Sequence, residues 1–319
     1  MTKIYVIHEN DEWMPPLRDA FTALGLPFEE WHMAEGRFDL DEEPPAGVFY
    51  SRMSASAHTR GHRFAPEYTA SVLAWLESHG RRVVNGGRAL DLEISKIRQY
   101  AALRTAGIRV PRTLAAVGRA QILATAAEAA YPLVLKPNRG GKGLGVQRYD
   151  GFDEVEAAVA DPGFDMGPDG TVLVQQFIEP AEPFIIRNEY VGGALLYAVQ
   201  VDTSHGFELC PADVCAVDED GTVIPAPVTG PSFTLLPSFR HPVQAAHLGF
   251  LAGNGIEVAG LEIILDRDGT AWTYDVNTNT NYNAGAETAA GVAGTNRAGM
   301  RAIATFLGRA LNRQDKQAA

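Results

Sequence analysis

A cluster of glycines and lysines in residues 131–146 (YPLVLKPNRGGKGLGV) has the composition of a phosphate-binding loop. An apolar run that ends in Lys136 predicts a buried strand, and Lys142 lies within the glycine-rich segment that follows. The glycines of this segment are Gly140, Gly141, Gly143 and Gly145. Glycine lets backbone approach a ligand closely and permits positive φ angles, so that successive N–H groups can converge on an anion. The alternative is a glycine hairpin with two solvated lysines.

Two common phosphate loops do not match this segment. It lacks a GxxxxGK motif followed by Ser or Thr, and no helical pattern begins directly after the glycines, as a dinucleotide-binding fold requires. We therefore predict a strand, a loop and a return strand, with the loop folded over phosphates like a flap.

Two acidic residues and an asparagine fall on the predicted strands of a hairpin nearer the C-terminus, within residues 258–282 (VAGLEIILDRDGTAWTYDVNTNTNY). Glu262 falls on the first strand of a predicted hairpin, and Asp275 and Asn277 fall on the second. Residues two apart on a strand point to the same face, so Asp275 and Asn277 converge. Oxygen ligands of this kind suit Mg²⁺, and the alternative is a polar strand face.

A local cationic segment, residues 51–64 (SRMSASAHTRGHRF), stands out in a chain whose formal net charge is −12. It carries Arg52, Arg60 and Arg63, and it has no acidic residue. We predict that these arginines bind an anionic substrate, with a solvated loop as the alternative. The acidic balance of the whole chain argues against broad binding of nucleic acid or anionic membrane, because both depend on basic surface.

The elements that position these residues fall into three predicted domains. Strand and helix patterns alternate along the first 95 residues, which predicts a parallel α/β domain with right-handed crossovers. A single helix is predicted over residues 90–106. Pro180 and Pro183 follow the apolar strand of residues 171–178, so we place a hinge there. The predicted domains are an N-terminal α/β domain (1–95), a central lobe with the glycine-rich loop (96–179) and a C-terminal lobe with the metal site (180–319).

The C-terminal lobe is predicted to consist mainly of hairpins. Two β runs within residues 184–201 are joined by Gly192 and Gly193, which is a strong hairpin signal. The hairpin within residues 258–282, the acidic hairpin, follows, and an apolar-periodic final helix is predicted over residues 296–311.

The bulk composition fits a soluble globular enzyme. Of 319 residues, 46% are hydrophobic and 21% are charged, and the N-terminal apolar stretch is too short for a secretory signal. We therefore expect a cytoplasmic protein. The only cysteines are Cys210 and Cys215, so no disulfide framework is expected; their spacing is a poor zinc pattern, and burial is the favoured explanation for both.

The order of these parts resembles the ATP-grasp superfamily, and within it the RimK-like carboxylate–amine ligases, which are α-L-glutamate ligase-like. Residues 85–113 (NGGRALDLEISKIRQYAALRTAGIRVPRT) resemble the segment with which those ligases enter their ATP domain. Their metal pattern, VAG-apolar-acid and then acid-apolar-Asn, is matched at Glu262, Asp275 and Asn277, although the usual Asp is Glu here and the usual Glu is Asp. The resemblance spans about residues 80–310 and implies an α/β ATP-grasp fold, in which two lobes sandwich ATP behind an N-terminal domain.

The resemblance implies how ATP would be held. Lys96 and Lys136 would neutralise the α- and β-phosphates, although Lys96 taken alone is equally a surface lysine. Gln176 and Ile178 would present backbone groups to adenine, and Glu179 would accept ribose hydroxyls.

It also implies the reaction chemistry. Two Mg²⁺ ions on Glu262, Asp275 and Asn277 would bridge phosphate oxygens. Arg187 and Lys142 are the predicted catalytic residues, and Arg187 would stabilise the transferring phosphoryl group and the acyl phosphate.

We therefore predict a ligase that activates a carboxylate with ATP and condenses it with an amine to form an amide, ADP and phosphate. Its partners would be small-molecule, amino-acid or peptide substrates, without nucleic acid or membrane, and a homodimer is the default oligomer. The alternatives are an ATP-binding regulatory or scaffold protein with the same fold, or an ATP-dependent kinase that stops at phosphoryl transfer.

Overall fold

Three β-sheets organise the chain in the computed structural model, which describes residues 2–141, 143–204 and 233–318. The first sheet is parallel, and the other two are antiparallel. Each predicted domain contributes the strands of one sheet.

The parallel sheet has the order β2-β1-β3-β4 and confirms the predicted N-terminal α/β domain. The elements in this part of the chain are β1 (Lys3–His8), α1 (Pro15–Ala23), β2 (Phe28–His32), β3 (Gly47–Ser51), α2 (Ala65–Ser78), β4 (Arg82–Val84) and α3 (Gly87–Glu93). Short 3₁₀ turns follow β1 at Asp11–Trp13 and β3 at Ala57–Arg60. Strand β3 is buried along its whole length because it lies between β1 and β4.

The second sheet has the order β5-β8-β6-β7 and carries the glycine-rich loop. Its part of the chain contains α4 (Lys96–Thr105), β5 (Thr113–Val117), α5 (Arg119–Ala127), β6 (Leu133–Pro137), β7 (Gln147–Tyr149), α6 (Phe152–Ala160) and β8 (Thr171–Gln176). Strand β6 is fully buried and pairs antiparallel with β7. The predicted order of strand, glycine loop and return strand is therefore confirmed.

The single helix predicted over residues 90–106 is wrong, because the chain breaks between α3 and α4. Ser95 is extended there and caps α4 through its side chain. Asn138, just after β6, accepts the N–H of Lys96 at its carbonyl (3.1 Å) and the N–H of Ile97 at its side-chain oxygen (2.9 Å). These bonds satisfy N–H groups that have no partner within the first turn of a helix. They therefore anchor α4 to the end of β6, the strand that carries Lys136.

The third sheet has the order β11-β10-β9-β12-β13 and confirms both predicted hairpins. Its part of the chain contains β9 (Phe184–Val191), β10 (Ala194–Asp202), β11 (Phe233–Leu236), α7 (Val243–Gly253), β12 (Val258–Leu265), β13 (Ala271–Asn277), α8 (Ala284–Ala289) and α9 (Gly299–Ala318). Gly192 and Gly193 both have positive φ in the turn between β9 and β10. Cys210 and Cys215 lie outside the described residues.

Helix α9 confirms the predicted final helix and packs against the N-terminal sheet as well as residues of its own lobe. Ile303 and Leu307 are fully buried in a cluster with Ile4, Val6 and Leu17. Burial of each such side chain contributes roughly 1.5–3 kcal/mol, so the last helix stabilises the first domain. The domain boundaries themselves stay a prediction. Although α9 has 20 residues, neither it nor another helix in the described ranges is apolar enough over sufficient length to cross a membrane.

His247 on α7 joins that helix to the third sheet as a neutral side chain. It is fully buried, and its ring nitrogens lie 3.0 Å from the hydroxyl of Tyr190 and 3.0 Å from that of Thr273. Burial lowers the pKa of His247 to about 3, and His241 adds to the decrease.

We expect His247 to make the folded chain less stable in acid. From about pH 6.5 down to about pH 3, the unfolded chain binds a proton at this position that the folded chain does not. The free energy of unfolding should therefore fall by up to about 1.4 kcal/mol per pH unit in that window. Urea unfolding at several pH values, compared with His247→Gln, measures this contribution. Identical pH slopes in the two proteins would contradict it.

Candidate active site

A cavity of about 400 Å³ lies where the three sheets meet. Its walls come from the glycine loop, the segment after β8, the acidic hairpin and the loops that follow β1 and β3. The predicted site residues that line it are Lys96, Lys136, Gly140, Gly141, Gly143, Gln176, Ile178, Glu179, Arg187, Glu262, Asp275 and Asn277. Residues far apart in the chain are therefore brought to one cavity.

Lys96 enters the cavity from the first residue of α4. Its side chain is buried, and Nζ donates to Asp275 Oδ1 at 2.6 Å. Burial alone would lower the pKa of Lys96, but the Asp275 carboxylate outweighs it and raises the pKa above its usual value. The alternative of a surface lysine is therefore wrong.

Lys136 reaches the same cavity from the buried strand β6. Its Nζ donates to the hydroxyl of Tyr100 at 2.6 Å, and it lies 5.3 Å and 5.7 Å from the ring centres of Tyr100 and Tyr274. Burial lowers the pKa of Lys136 to about 7, and the positive charge of Lys96 adds to the decrease. A nearby anion would therefore change the charge of Lys136 readily.

The acidic hairpin brings three oxygen-bearing side chains together. Glu262 on β12 lies directly opposite Asp275 on β13, and Asn277 Nδ2 donates to Glu262 Oε1 at 3.3 Å. Burial raises the pKa of Glu262 against the opposing effect of Arg187, whereas Lys96 and Lys136 overcome burial and lower the pKa of Asp275. The carboxylates of Glu262, which is buried, and Asp275, which is partly buried, join the amide of Asn277 in the all-oxygen donor set that Mg²⁺ prefers.

Arg187 on β9 is held beside this acidic pair by three side chains. Its Nε donates to Glu189 at 2.5 Å, Nη1 to Glu262 at 3.2 Å and Nη2 to Thr280 at 2.6 Å. Gly260 on the neighbouring strand leaves room for the guanidinium, because a Cβ there would lie 2.6 Å from Arg187 Nε. Nothing in the local sequence distinguishes this glycine, since the close approach is made across two strands.

The glycine loop lines the cavity along most of its described length, with Gly140, Gly141, Gly143, Leu144 and Val146. Gly143 and Gly145 have positive φ angles of 76° and 71°. Gly145 is not among the lining residues; a Cβ there would lie 3.2 Å from Pro137 Cδ. Lys142 lies outside the described residues.

The segment after β8 offers free backbone to the cavity. Among the described residues, no hydrogen bond uses the backbone N–H or C=O of Ile178 or Glu179. Arg148 lines the same end of the cavity and stacks over Phe177, with its guanidinium carbon 4.5 Å from the ring centre. The sequence analysis did not identify Arg148, because β7 showed no pattern that distinguishes it.

Glu93 is a cavity residue that the sequence analysis missed. This last residue of α3 is buried, and its carboxylate accepts the N–H of Thr278 at 2.7 Å and the N–H of Ala55 at 3.3 Å. Burial raises the pKa of Glu93, partly offset by the bond from Thr278. Glu93 thus joins the N-terminal domain to the segment that follows the acidic hairpin, and an acid on a predicted helix gave no signal of this.

The three arginines of residues 51–64 are not brought together, and none of them lines the cavity. Arg52 is buried and donates to Asn281 Oδ1 at 2.7 Å and Asn279 Oδ1 at 3.2 Å. Both asparagines do line the cavity, so Arg52 acts as a support for that wall.

The other two arginines also have partners within the chain. Arg60 Nη2 donates to the buried carboxylate of Glu9 at 2.5 Å, and its guanidinium lies 5.0 Å from the ring centre of Trp13. Arg63 donates to the carbonyl of Pro168 at 3.2 Å. The expected three-arginine anion site is therefore not assembled, because each guanidinium is directed to a different part of the chain.

Sequence relatives of the chain are ligases, although no protein-family model matches it. A D-alanine–D-alanine ligase from Pseudomonas entomophila is 26% identical over 200 residues, which cover 61% of this chain and 57% of the relative. A probable α-L-glutamate ligase from Teredinibacter turnerae is 30% identical over 171 residues, which cover 53% of each chain. The chain thus spans only a little more than half the length of these curated relatives.

Solved structures match almost the whole chain. An ATP-grasp RimK domain protein from Sphaerobacter thermophilus superposes with a TM-score of 0.64 at 24% identity, covering 96% of this chain and 99% of that one. The ATP-grasp ligase PsnB, in complex with a phosphomimetic precursor variant, Mg and ADP, gives a TM-score of 0.63 at 16% identity and covers 99% of each chain. The chain therefore has the ATP-grasp fold, as its sequence predicted.

Proposed function

We propose that the chain is an ATP- and Mg²⁺-dependent ligase that joins a carboxylate to an amine. The observation that carries the proposal is the convergence of Lys96 and Lys136 with the acidic pair Glu262 and Asp275 in one cavity. The curated relatives are named as ligases, which supports this proposal. The PsnB complex contains Mg and ADP, which supports the proposed cofactors.

ATP would lie with its phosphates between the two lysines and its adenine against the segment after β8. Lys96 and Lys136 would supply positive charge to the phosphates, and the glycine loop would donate backbone N–H groups to them. The unbonded backbone of Ile178 and Glu179 would recognise adenine and ribose, with Gln176 beside them. Closure of the loop over the phosphates would also exclude water.

The acidic hairpin would hold the metal. Glu262, Asp275 and Asn277 offer oxygen ligands at one end of the cavity, and we propose two ions, as in the predicted site. Bound Mg²⁺ would neutralise charge on the phosphate oxygens during transfer. Lys96 would then exchange its bond with Asp275 for contacts with phosphate.

We propose that Arg187 and Lys142 stabilise the phosphoryl group during its transfer from ATP. A guanidinium has five N–H donors, and the bonds of Arg187 to Glu189, Glu262 and Thr280 use one donor on each nitrogen. Within the described part of the chain, two donors remain for an anion in the cavity. A carboxylate oxygen would attack the γ-phosphorus with ADP as the leaving group. The amine nitrogen would then attack the acyl carbon, and phosphate would leave as the amide forms. Positioning and electrostatics suffice for both steps without a protein nucleophile.

ADP release with ATP and Mg²⁺ tests this function against a panel of amino acids and small carboxylates, alone and in pairs. A ligase requires both a carboxylate and an amine for full release and yields an amide that mass spectrometry identifies. Release with a carboxylate alone, leaving a phosphorylated product, would favour a kinase. Nucleotide binding without release for all pairs, including peptides, would favour a regulatory protein.

Lys136 is expected to take up a proton when Mg²⁺-free ATP binds. Its pKa of about 7 leaves it mostly neutral at about pH 8, and phosphate favours the charged form. The affinity for ATP should therefore fall as the pH rises above 7. Calorimetry in two buffers with different ionisation enthalpies measures the proton uptake. Equal uptake by Lys136→Met would contradict the assignment.

The proposed substrates carry one carboxylate and one amine, either as small molecules or within a peptide. The relatives' names mention D-alanine and α-L-glutamate, and the PsnB complex contains a precursor. A cytoplasmic location and a homodimer stay predictions from the sequence.

A further inference from the structure

Two histidines and an aspartate meet at the carboxyl edge of the N-terminal sheet, outside the cavity. His8 and His32 are the last residues of β1 and β2, and they lie directly opposite each other in the parallel register. Asp11 begins the 3₁₀ turn that follows β1. One ring nitrogen from each histidine and one oxygen of Asp11 all lie within 4.8 Å of one another.

His8 is the unusual member of this group. It is 3% exposed, and neither ring nitrogen makes a hydrogen bond of good geometry with another described residue. The nearest carboxylate oxygen, from Glu30, lies 3.3 Å from His8 Nε2, and Arg18 donates to both oxygens of Glu30, at 2.6 Å and 2.7 Å. His8 Nδ1 has no hydrogen-bond partner within the described residues, and a buried ring nitrogen of this kind is rare in folded proteins because it loses its bonds to water. A nitrogen in this position is available to bind a metal ion.

We propose that His8, Asp11 and His32 bind a divalent transition-metal ion of the zinc class. Two imidazoles and one carboxylate form a donor set that zinc accepts, leaving a position for water or another ligand. Imidazole nitrogen favours zinc over Mg²⁺, so this site differs chemically from the all-oxygen acidic hairpin.

Binding requires only local movement. With metal–ligand bonds of about 2.0 Å, the donor atoms of a tetrahedral site lie about 3.3 Å apart. Asp11 Oδ2 is now 4.0 Å from His32 Nε2, and the Asp11 side chain is 72% exposed, so it is able to rotate inward. His32 must carry its hydrogen on Nδ1 and give up a long 3.4 Å contact from the N–H of Ala34.

The site is connected to the cavity through a single turn. Asp11 and Trp13 belong to the same 3₁₀ turn, and Trp13 lines the cavity. A metal that holds Asp11 against His8 and His32 would therefore fix the position of Trp13. Zinc binding would act on the shape of the cavity without supplying a ligand to it.

Zinc titration of the untagged, metal-stripped full chain tests the proposal. Excess Mg²⁺ is included to occupy the proposed metal site on the acidic hairpin, and competition with a chromogenic chelator gives the affinity and stoichiometry for Zn²⁺. We expect one bound equivalent and an affinity lowered at least about tenfold in His32→Asn and in Asp11→Asn. The Co²⁺ form should show the absorption bands of a nitrogen-containing site, and these should weaken in the same variants.

His79→Asn is the matched control, because His79 is a half-buried histidine at the end of α2 and is not part of the cluster. It should bind Zn²⁺ as the wild type does. His32 and Asp11 are more exposed than His8, so their variants test the site without opening the core. The proposal would be overturned if the wild type did not bind Zn²⁺, or if His32→Asn and Asp11→Asn bound Zn²⁺ with the affinity of the wild type.

Discussion

Replacing Asp275 with asparagine is expected to lower the rate of ADP release by at least ~100-fold, since even the partners of metal ligands contribute roughly 10- to 100-fold. The substitution removes one carboxylate from the proposed metal site. It also removes the negative charge that holds Lys96 at 2.6 Å and raises its pKa. Steady-state ADP release at saturating ATP and Mg²⁺ measures the effect once a productive substrate pair is known.

Asp268→Asn is the matched control for Asp275→Asn. Asp268 lies in the exposed turn of the same hairpin, outside the cavity. Both substitutions replace a carboxylate with an amide. Comparing them therefore separates the loss of a carboxylate in the site from the loss of one negative charge on the surface. Similar rates for the two variants would refute the metal-site assignment.

Replacing Arg187 with alanine is expected to lower the free energy of unfolding by about 3–5 kcal/mol, the typical cost of breaking a buried ion pair. Arg187, Glu189 and Glu262 are all buried, and the guanidinium binds both carboxylates. Without it, two carboxylates remain in a region with little water. Burial already raises the pKa of Glu262, and protonation of this carboxylate would limit the loss of stability. The decrease in the free energy of unfolding should therefore be larger at pH 8 than at pH 5.

Urea unfolding of Arg187→Ala should be compared with Arg98→Ala. Arg98 donates to Asp91 at 2.8 Å, but both side chains are at least half exposed. An exposed pair of this kind contributes about 0–1 kcal/mol, so Arg98→Ala should change stability little. If the two variants lose the same stability, the buried network around Arg187 does not have the proposed energetic role.

Much of the architecture follows from local patterns in the sequence. The alternation of apolar strands with amphipathic helices predicted the parallel domain, and the paired β runs predicted both hairpins. The convergence of Asp275 with Asn277 was equally predictable, because their spacing on one strand sets their direction. Each of these inferences depends on the geometry of a single backbone segment.

The helix break before Lys96 was not predictable in the same way. The residues of α3 and α4 form one continuous helical pattern, and Ser95 is a weak signal within it. The start of α4 is completed by Asn138, which lies 42 residues after Lys96 and forms its bonds only once β6 is in place. A cap contributed by another element leaves little trace in the segment that it caps.

The arginines of residues 51–64 show the same limit of prediction from local sequence more clearly. Sequence established a cationic segment in an acidic chain, but its partners come from elsewhere: Glu9 for Arg60, and Asn279 and Asn281 for Arg52. Residue spacing within a strand or helix is set by backbone geometry, so the sequence by itself determined the loop, the strands and the converging oxygens. Which charges meet between elements depends on how those elements pack, and only the tertiary structure decided that.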